Sequence, residues 1–392
     1  MVQDDTKTLV RTIMLEFAEL TGLASARVAP RRYLWTDAFA VCNFLALYRQ
    51  TNDERYKELA LNLVDQVHNV LGRHRDDDPR TGWISGLDEA EGRKHPTRGG
   101  LRIGKGMIER GPNDPYDEQR EWDRDGQYYH YLTKWMHALN RVSQVTGDAT
   151  YNRWAIELGK TAHARFTYVP SSGGRKRMYW KMSIDLSYPL VTSMGQHDPL
   201  DGFTTYLRLQ ATAAKVSRKT ASQDLGAEIA EMAALCEGKR WETDDPLGLG
   251  ELLCTVYELA LLSLDESLEQ TVLLDVLLRP SLVSLRSYAS GSSLNLPAEY
   301  RLAFRELGLS LGLRAIEKLI MLIRQTRRNF HGKNRLQSWT ESVMRYAQLR
   351  ESIETYWLDP SHRRASEWTA HRDINMVMLA TSLDPDGYLS SW

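Results

Sequence analysis

The sequence has few cysteines, few phenylalanines, no excess of either charge and no long apolar run. Its three cysteines, Cys42, Cys236 and Cys254, are spread over 392 residues. None falls in CxxC or Cys/His zinc spacing, so neither a disulfide framework nor a structural zinc site is expected. Fifty basic residues stand against 51 acidic ones, which argues against a globally basic nucleic-acid binder. The longest apolar stretches, Leu252–Leu264 and Ile374–Leu379, are too short or too interrupted to span a bilayer. The first residues, Met-Val-Gln-Asp-Asp, are acidic and lead into no apolar run. No signal peptide is expected, and the chain reads as cytoplasmic. Seven Phe stand beside 11 Trp and 18 Tyr, so the aromatics chosen are those with a hydrogen-bonding handle. What is present, 42% hydrophobic residues, fills a sizeable core and excludes a disordered chain.

Strand patterns are nearly absent, and the helical period dominates. The spacing predicts helices over Asp5–Leu20, Thr36–Tyr48, Asp53–Leu71, Asp123–Val142, Asp148–Phe166, Leu200–Val216, Ser222–Glu237, Leu247–Leu264, Ser267–Ser287, Pro297–Gln325, Leu336–Tyr356 and Ala365–Leu383. One short hairpin is expected at Arg177–Ile184. The helices near 5, 53, 148, 222, 267 and 336 are amphipathic. Those near 36, 200, 247 and 365 are apolar nearly all round, as a helix buried on every side must be. Alternation of outer and inner helices predicts an all-α fold, an (α/α)6 toroid of six helical hairpins in one domain, 1–392.

An internal repeat supports this. Thr51-Asn52-Asp53-Glu54-Arg55-Tyr56 recurs as Thr146-Gly147-Asp148-Ala149-Thr150-Tyr151. Asn or Gly ends one helix in the left-handed region, Asp caps the next, and Tyr packs back one turn later. The second copy continues as Asn152-Arg153-Trp154-Ala155-Ile156-Glu157-Leu158. This TGDxxYxxxAxxL pattern after a helix resembles the hairpin signature of the six-hairpin glycosidase superfamily. That group includes unsaturated glucuronyl hydrolases, other glycoside hydrolase families and the N-acylglucosamine 2-epimerases. The resemblance covers two hairpins strongly and the rest by rhythm. It implies a toroid and a carbohydrate substrate. The aromatic run followed by Gln-Ala-Glu of the epimerases is absent, and no catalytic residue is carried over.

Two long loops, Gly72–Trp122 and Val169–Pro199, precede inner helices and are expected on one mouth of the toroid. The first turns of the inner helices supply a polar ring: Trp35 and Asp37; Trp122, Asp123 and Asp125; His197, Asp198 and Asp201; Glu251; Arg305 and Glu306; Glu367, His371 and Asp373. Capping explains many acids at such positions. Glu251 stands in an otherwise apolar helix, where desolvation is expected to raise its pKa. Asp125 is expected to point inward on a helix with Tyr128, Tyr129 and Leu132, leaving Asp123 as the cap and His130 beside it. His197, Asp198 and Asp201 place three titratable groups within five residues, although Asp198-Pro199 also reads as a plain helix start. Trp368, His371 and Asp373 form a weaker group. Gly99–Gly111 reads as a glycine-rich lid. Arg327, Arg328, Lys333 and Arg335 read as a solvated turn.

No Walker A loop, GxGxxG, GxSxG or HExxH is present. No metal and no cofactor are expected. The first expectation is therefore a glycoside hydrolase with Asp125, Asp201 and Glu251 as acid/base candidates and His197 and His371 as auxiliary groups. Trp35, Asp37, Trp83, Trp122, Tyr129, His130, Asp198 and Trp368 are the candidate saccharide contacts. The alternatives are a sugar epimerase or isomerase with paired histidines, and a non-catalytic binding or scaffold toroid. The expected partner is a saccharide, with neither nucleic acid nor membrane. The oligomeric state is open.

Overall fold

The computed structural model describes residues 2–25, 27–216, 224–266, 271–325 and 333–390. Arg327 and Arg328 of the basic turn, and the expected helix starts at Ser222 and Ser267, lie outside them. Cα packing groups the chain into two compact units, Ala18–Glu237 and Met1–Phe17 with Gly238–Ser391.

The first unit is built from α2 (Leu34–Thr51) with α3 (Glu54–Leu71), α6 (Tyr129–Thr146) with α7 (Ala149–Phe166), and α8 (Asp198–Val216) with α9 (Gly226–Cys236). The short helices α4 (Glu89–Lys94) and α5 (Glu118–Asp123) lie in the first long loop. α2 is buried from Leu34 to Leu47, whereas α3 buries one face through Tyr56, Ala60, Leu63, Val64, Val67, His68 and Leu71. That is the inner and outer character read from the sequence.

The two repeat copies fold alike. Asn52 has φ 54° and Gly147 has φ 75°. Asp53 accepts from the Arg55 amide at 3.1 Å, and Asp148 from the Thr150 amide at 2.8 Å. The Thr51 and Thr146 hydroxyls each bond the carbonyl four residues back and receive the capping Asp amide at 3.2 Å. One local code therefore closes both hairpins.

The second unit contains α10 (Pro246–Glu266), α11 (Thr271–Ser290), α12 (Ala303–Gln325), α13 (Lys333–Met344), α14 (Ala347–Leu358), α15 (Ser366–Ala370), α16 (Arg372–Leu383) and α17 (Asp386–Leu389). The first turns of α1 (Val2–Leu20) join it, with Arg372 bonding Glu16 at 2.5 Å. Asp245 caps α10 by accepting from the Leu247 and Gly248 amides. α10 and α12 approach closely because glycines meet. A Cβ on Gly250 would lie 2.0 Å from the Gly308 carbonyl oxygen, and one on Gly312 would lie 2.5 Å from that of Gly250. Pro246–Ser263 is long and apolar enough to cross a membrane, but 72% of it is buried, as in a core helix.

Several expected boundaries move. The helix expected from Asp123 begins at Tyr129, because Gly126 has φ 143°, outside the helical region. In place of a helix from Pro297, two 3-10 turns, Ser293–Asn295 and Ala298–Tyr300, precede α12. The span Leu336–Tyr356 is two helices, α13 and α14. Ala365–Leu383 divides at His371, where Asn375 reaches back to the Trp368 carbonyl and also accepts from the Phe304 amide.

The hairpin expected at Arg177–Ile184 does not form. β3 (Arg177–Met178) pairs with β2 (Thr167–Tyr168), while β4 (Lys181–Met182) pairs with β1 (Gln127–Tyr128) and β5 (Pro189–Val191). The two long loops of the first unit are thereby knitted together. Arg80 joins Asp78, Glu109 and Asp185 at 2.5–2.9 Å, and Arg110 donates to the Leu190 carbonyl at 3.0 Å.

Candidate functional site

α6 and α8 face each other through polar groups. His130 Nδ1 lies 3.5 Å from Asp198 Oδ1, and Lys134 Nζ lies 3.5 Å from Asp201 Oδ2. Further along, Arg208 lies 3.2 Å from His137 Nδ1, and the Asn140 amide donates to Thr212 at 2.8 Å. Steps of three and four residues keep these groups on one stripe of each helix. Asp198, Asp201, Lys134, His137 and Arg208 are all buried. Burying so many charges between two helices is costly, and apolar residues pack such a seam better. The stripe therefore marks the part of the unit where packing alone does not dictate the sequence.

The His130–Asp198 rung is incomplete. The two groups lie 3.5 Å apart, yet buried His130 Nδ1 and buried Asp198 Oδ2 have no hydrogen-bond partner among the described residues. Asp198 is the first residue of α8 instead of a residue preceding it, and the His197 carbonyl accepts from the Leu200 and Asp201 amides. The expected capping role of Asp198 thus gives way to a side chain aimed at His130.

Aromatic rings surround His130. Its imidazole is nearly parallel to Trp180, with centroids 6.3 Å apart and an interplanar angle of 19°. Tyr128 lies 5.3 Å away and Tyr131 4.9 Å, edge-on. The Tyr33 and Tyr131 hydroxyls meet at 2.7 Å. Burial pushes the Tyr33 and Tyr128 hydroxyls above the usual phenol range, so both stay neutral. Lys105 and Lys181 lie 5.6 and 5.4 Å from the Tyr128 ring centre, within cation–π range. Burial lowers the pKa of Lys105, and pulls Lys181 down to about 8 against the partly compensating charge of Glu121.

Asp125 is placed differently from its expectation. It is not on a helix, and its carboxylate is fully buried. Oδ2 receives Arg102 at 2.9 Å and Arg75 at 3.3 Å; Oδ1 receives the amides of Gly104 and Gly126 at 2.9 and 3.1 Å. All four contacts are with donors, two of them guanidinium groups. Asp125 is the hub that fixes the first long loop. The Gly99–Gly111 segment, expected as a lid, is part of this fixed structure: Gly104 donates to Asp125, and Gln127 bonds the Leu101 amide and the Gly99 carbonyl. Asp123 ends α5 and caps nothing at α6.

Other expected contacts also serve packing. Asp37 accepts from the Tyr33 amide at 2.9 Å and pairs with Arg32, both buried. Trp35 is buried against Phe39, and Trp83 is buried under Arg73 and over Gly92. Tyr129 is buried and donates to the Tyr206 hydroxyl at 2.8 Å. None of these offers a ring face to a ligand. Trp122 is 47% exposed. Glu251, His371 and Trp368 belong to the second unit. There, Trp368 is buried against Trp357, and His371 lies 3.7 Å from Glu367 and against Phe304. Among the described residues no group of three His, Cys, Asp or Glu side chains gathers as metal ligands.

Sequence reasoning missed Trp180, Lys134, His137 and Arg208. The last three were detectable as basic residues at helical spacing, Lys134 and His137 along α6 and Arg208 along α8 with Asp198 and Asp201. Trp180 carried no periodic signal, because irregular loop pairing brings it to His130.

No family model and no curated protein matches the chain. Solved structures do. A cellobiose 2-epimerase from Bacillus thermoamylovorans B4167 is similar at 11% identity, over 97% of this chain and 98% of that one, with a TM-score of 0.50. A cellobiose 2-epimerase from Spirochaeta thermophila DSM 6192 is similar at 12% identity, over 90% and 86%, with a TM-score of 0.45. The first likeness shows the fold: all-α, of the (α/α)6 class.

Proposed function

We propose that the chain is a carbohydrate-active enzyme that epimerises or isomerises a reducing sugar, with His130 as the proton-transfer group and Asp198 as its partner. The carrying observation is the state of the acids in the first unit. Glycoside hydrolysis needs two carboxyl groups, one protonated and one ionised, across the scissile bond. Of the three carboxylates expected as acid and base, the two in this unit each face a basic group, Asp125 facing Arg75 and Arg102 and Asp201 facing Lys134, while Glu251 belongs to the second unit. What is left for proton transfer is an imidazole. This supports the epimerase alternative over the hydrolase first expected.

The chemistry asked of the site is modest. A hydrogen on the carbon next to a sugar carbonyl is acidic because the resulting anion delocalises onto oxygen. An imidazole removes that proton, and a proton returned to the other face inverts the centre, or one returned to the carbonyl carbon moves the carbonyl. No net atom is gained or lost. Asp198 beside Nδ1 orients the ring, leaving Nε2 for the substrate. The stacked Trp180 and neighbouring Tyr128 suit the apolar face of a pyranose. A solved cellobiose 2-epimerase with this fold supports the reading, since the fold carries such chemistry.

The test is incubation with a panel of aldoses, ketoses and reducing disaccharides in D2O, with products separated and deuterium located by NMR. Deuterium at the carbon next to the carbonyl, with epimer or isomer formed, is expected. His130→Asn is expected to lower both by about 100-fold or more, with its melting curve showing a folded protein. Release of free sugar from glycosides without deuterium incorporation would return the hydrolase reading.

A further inference from the structure

Trp122 stands apart from the other tryptophans near the site. Trp35, Trp83 and Trp135 are buried, whereas nearly half of Trp122 is open to solvent. An exposed indole usually sits on a mobile tip, but this one is held. Its own carbonyl accepts from Lys105 Nζ. The preceding Glu121 receives Arg110 on its carboxylate at 2.8 Å, and its carbonyl receives Lys181 at 2.7 Å. The Arg124 carbonyl also receives Lys181, at 2.8 Å. Polar groups thus pin the backbone on both sides of a ring of which nearly half faces solvent. A rigid exposed aromatic is what a binding surface uses, because little ordering entropy remains to be lost.

Its position supplies the ligand. Trp122 meets Trp180 edge to face at 5.4 Å, and Trp180 in turn lies nearly parallel to His130 at 6.3 Å. The three rings form a continuous strip from the imidazole outward, with Trp122 at its open end. Lys105 Nζ sits 5.9 Å from the Trp122 ring centre, so a cation flanks the indole. An aromatic ring with a cation beside it matches a pyranose, which has a C–H face and equatorial hydroxyls.

We infer that Trp122, with Lys105 beside it, is a subsite for a second sugar ring, and that the substrate is a saccharide of at least two units with its reacting unit at His130. This rests on the carbohydrate reading above and adds the size of the substrate to it. A single sugar at His130 and Trp180 does not need the outer indole; a disaccharide reaches it.

The test is calorimetric titration of the full chain with glucose and with its α-1,4- and β-1,4-linked disaccharides. Wild type is expected to bind one of the disaccharides about tenfold or more tighter than glucose. Trp122→Ala is expected to remove that difference while changing glucose affinity less than about twofold, and Trp122→Phe to keep part of it. Melting curves check that each variant is folded. Equal affinity of wild type for one and two rings, an equal loss for both in Trp122→Ala, or no binding of any of these sugars overturns the subsite. Binding is read separately from turnover. If the subsite behaves as expected but no solvent deuterium enters any sugar, the proton-transfer reading falls and the subsite stands.

Discussion

Two helix pairs in this molecule are solved in opposite ways. In the first unit α6 meets α8 through His130, Lys134 and His137 facing Asp198, Asp201 and Arg208, all but His130 deeply buried. In the second unit α10 meets α12 through Gly250, Gly308 and Gly312, with backbone against backbone. The glycine seam is a stability device: removing side chains lets two long apolar helices approach and bury the leucines around them. The polar seam works against stability, since each charge surrenders its hydration. A protein that makes an apolar seam in one place and a charged one in another is using the second for something besides folding.

The largest expected break falls on the anchor beside the polar seam. Asp125→Ala leaves Arg75 and Arg102 without their shared carboxylate, and Gly104 without an acceptor. Losing one side of a buried ion pair costs about 3–5 kcal/mol. Urea unfolding is expected to show a loss of that size, together with early proteolysis in the 72–122 loop. A catalytic Asp125 would instead give a stable, inactive protein.

The glycine seam is next. Gly250→Ala puts a methyl 2.0 Å from the Gly308 carbonyl oxygen, a neighbour that cannot rotate away. The helices must separate along α10, and overpacking of this kind costs about 1–3 kcal/mol. A melt is expected to show that loss, with the sugar binding assigned to the first unit kept in the folded fraction. A neutral result would mean that the close approach is not structural, and the contrast between the seams would fail.

What the sequence disclosed follows the same division. The hairpin rhythm was readable because it is local: Thr51, Asn52 and Asp53, like Thr146, Gly147 and Asp148, bond to residues within a few positions. The apolar surround of α2 and α10 was readable from period alone. The fate of the acids was not. Whether Asp125 is a catalytic acid or an anchor depends on Arg75 and Arg102, which are distant in sequence and lie in a loop with no periodic signal. Gly126 ended the helix that would have aimed it inward. The tryptophan excess divided likewise. Trp135 donates to His68, Trp154 to the Lys94 carbonyl and Trp357 to Glu306, so these three indole N–H groups serve packing. Trp122 faces solvent.

The smallest expected change in stability is the sharpest test of the polar seam. His130→Phe alone leaves Asp198 buried without its partner, and removing one member of such a pair is expected to cost about 3 kcal/mol. Asp198→Leu alone loses the same attraction and a favourable charge in the first turn of α8, the latter about 0.3–1 kcal/mol. The double variant removes both groups and their unpaired atoms, His130 Nδ1 and Asp198 Oδ2. It is expected to melt within about 1 kcal/mol of wild type, because apolar replacements need no hydration to be returned. Activity is expected to be absent in all three. A double-mutant cycle measured by urea unfolding gives the coupling directly. Restored stability without restored turnover would mean the pair is kept for what it does to a ligand. A double variant as unstable as the two single losses combined would mean zero coupling, so that His130 and Asp198 do not act as a pair and His130 loses Asp198 as its partner in the chemistry.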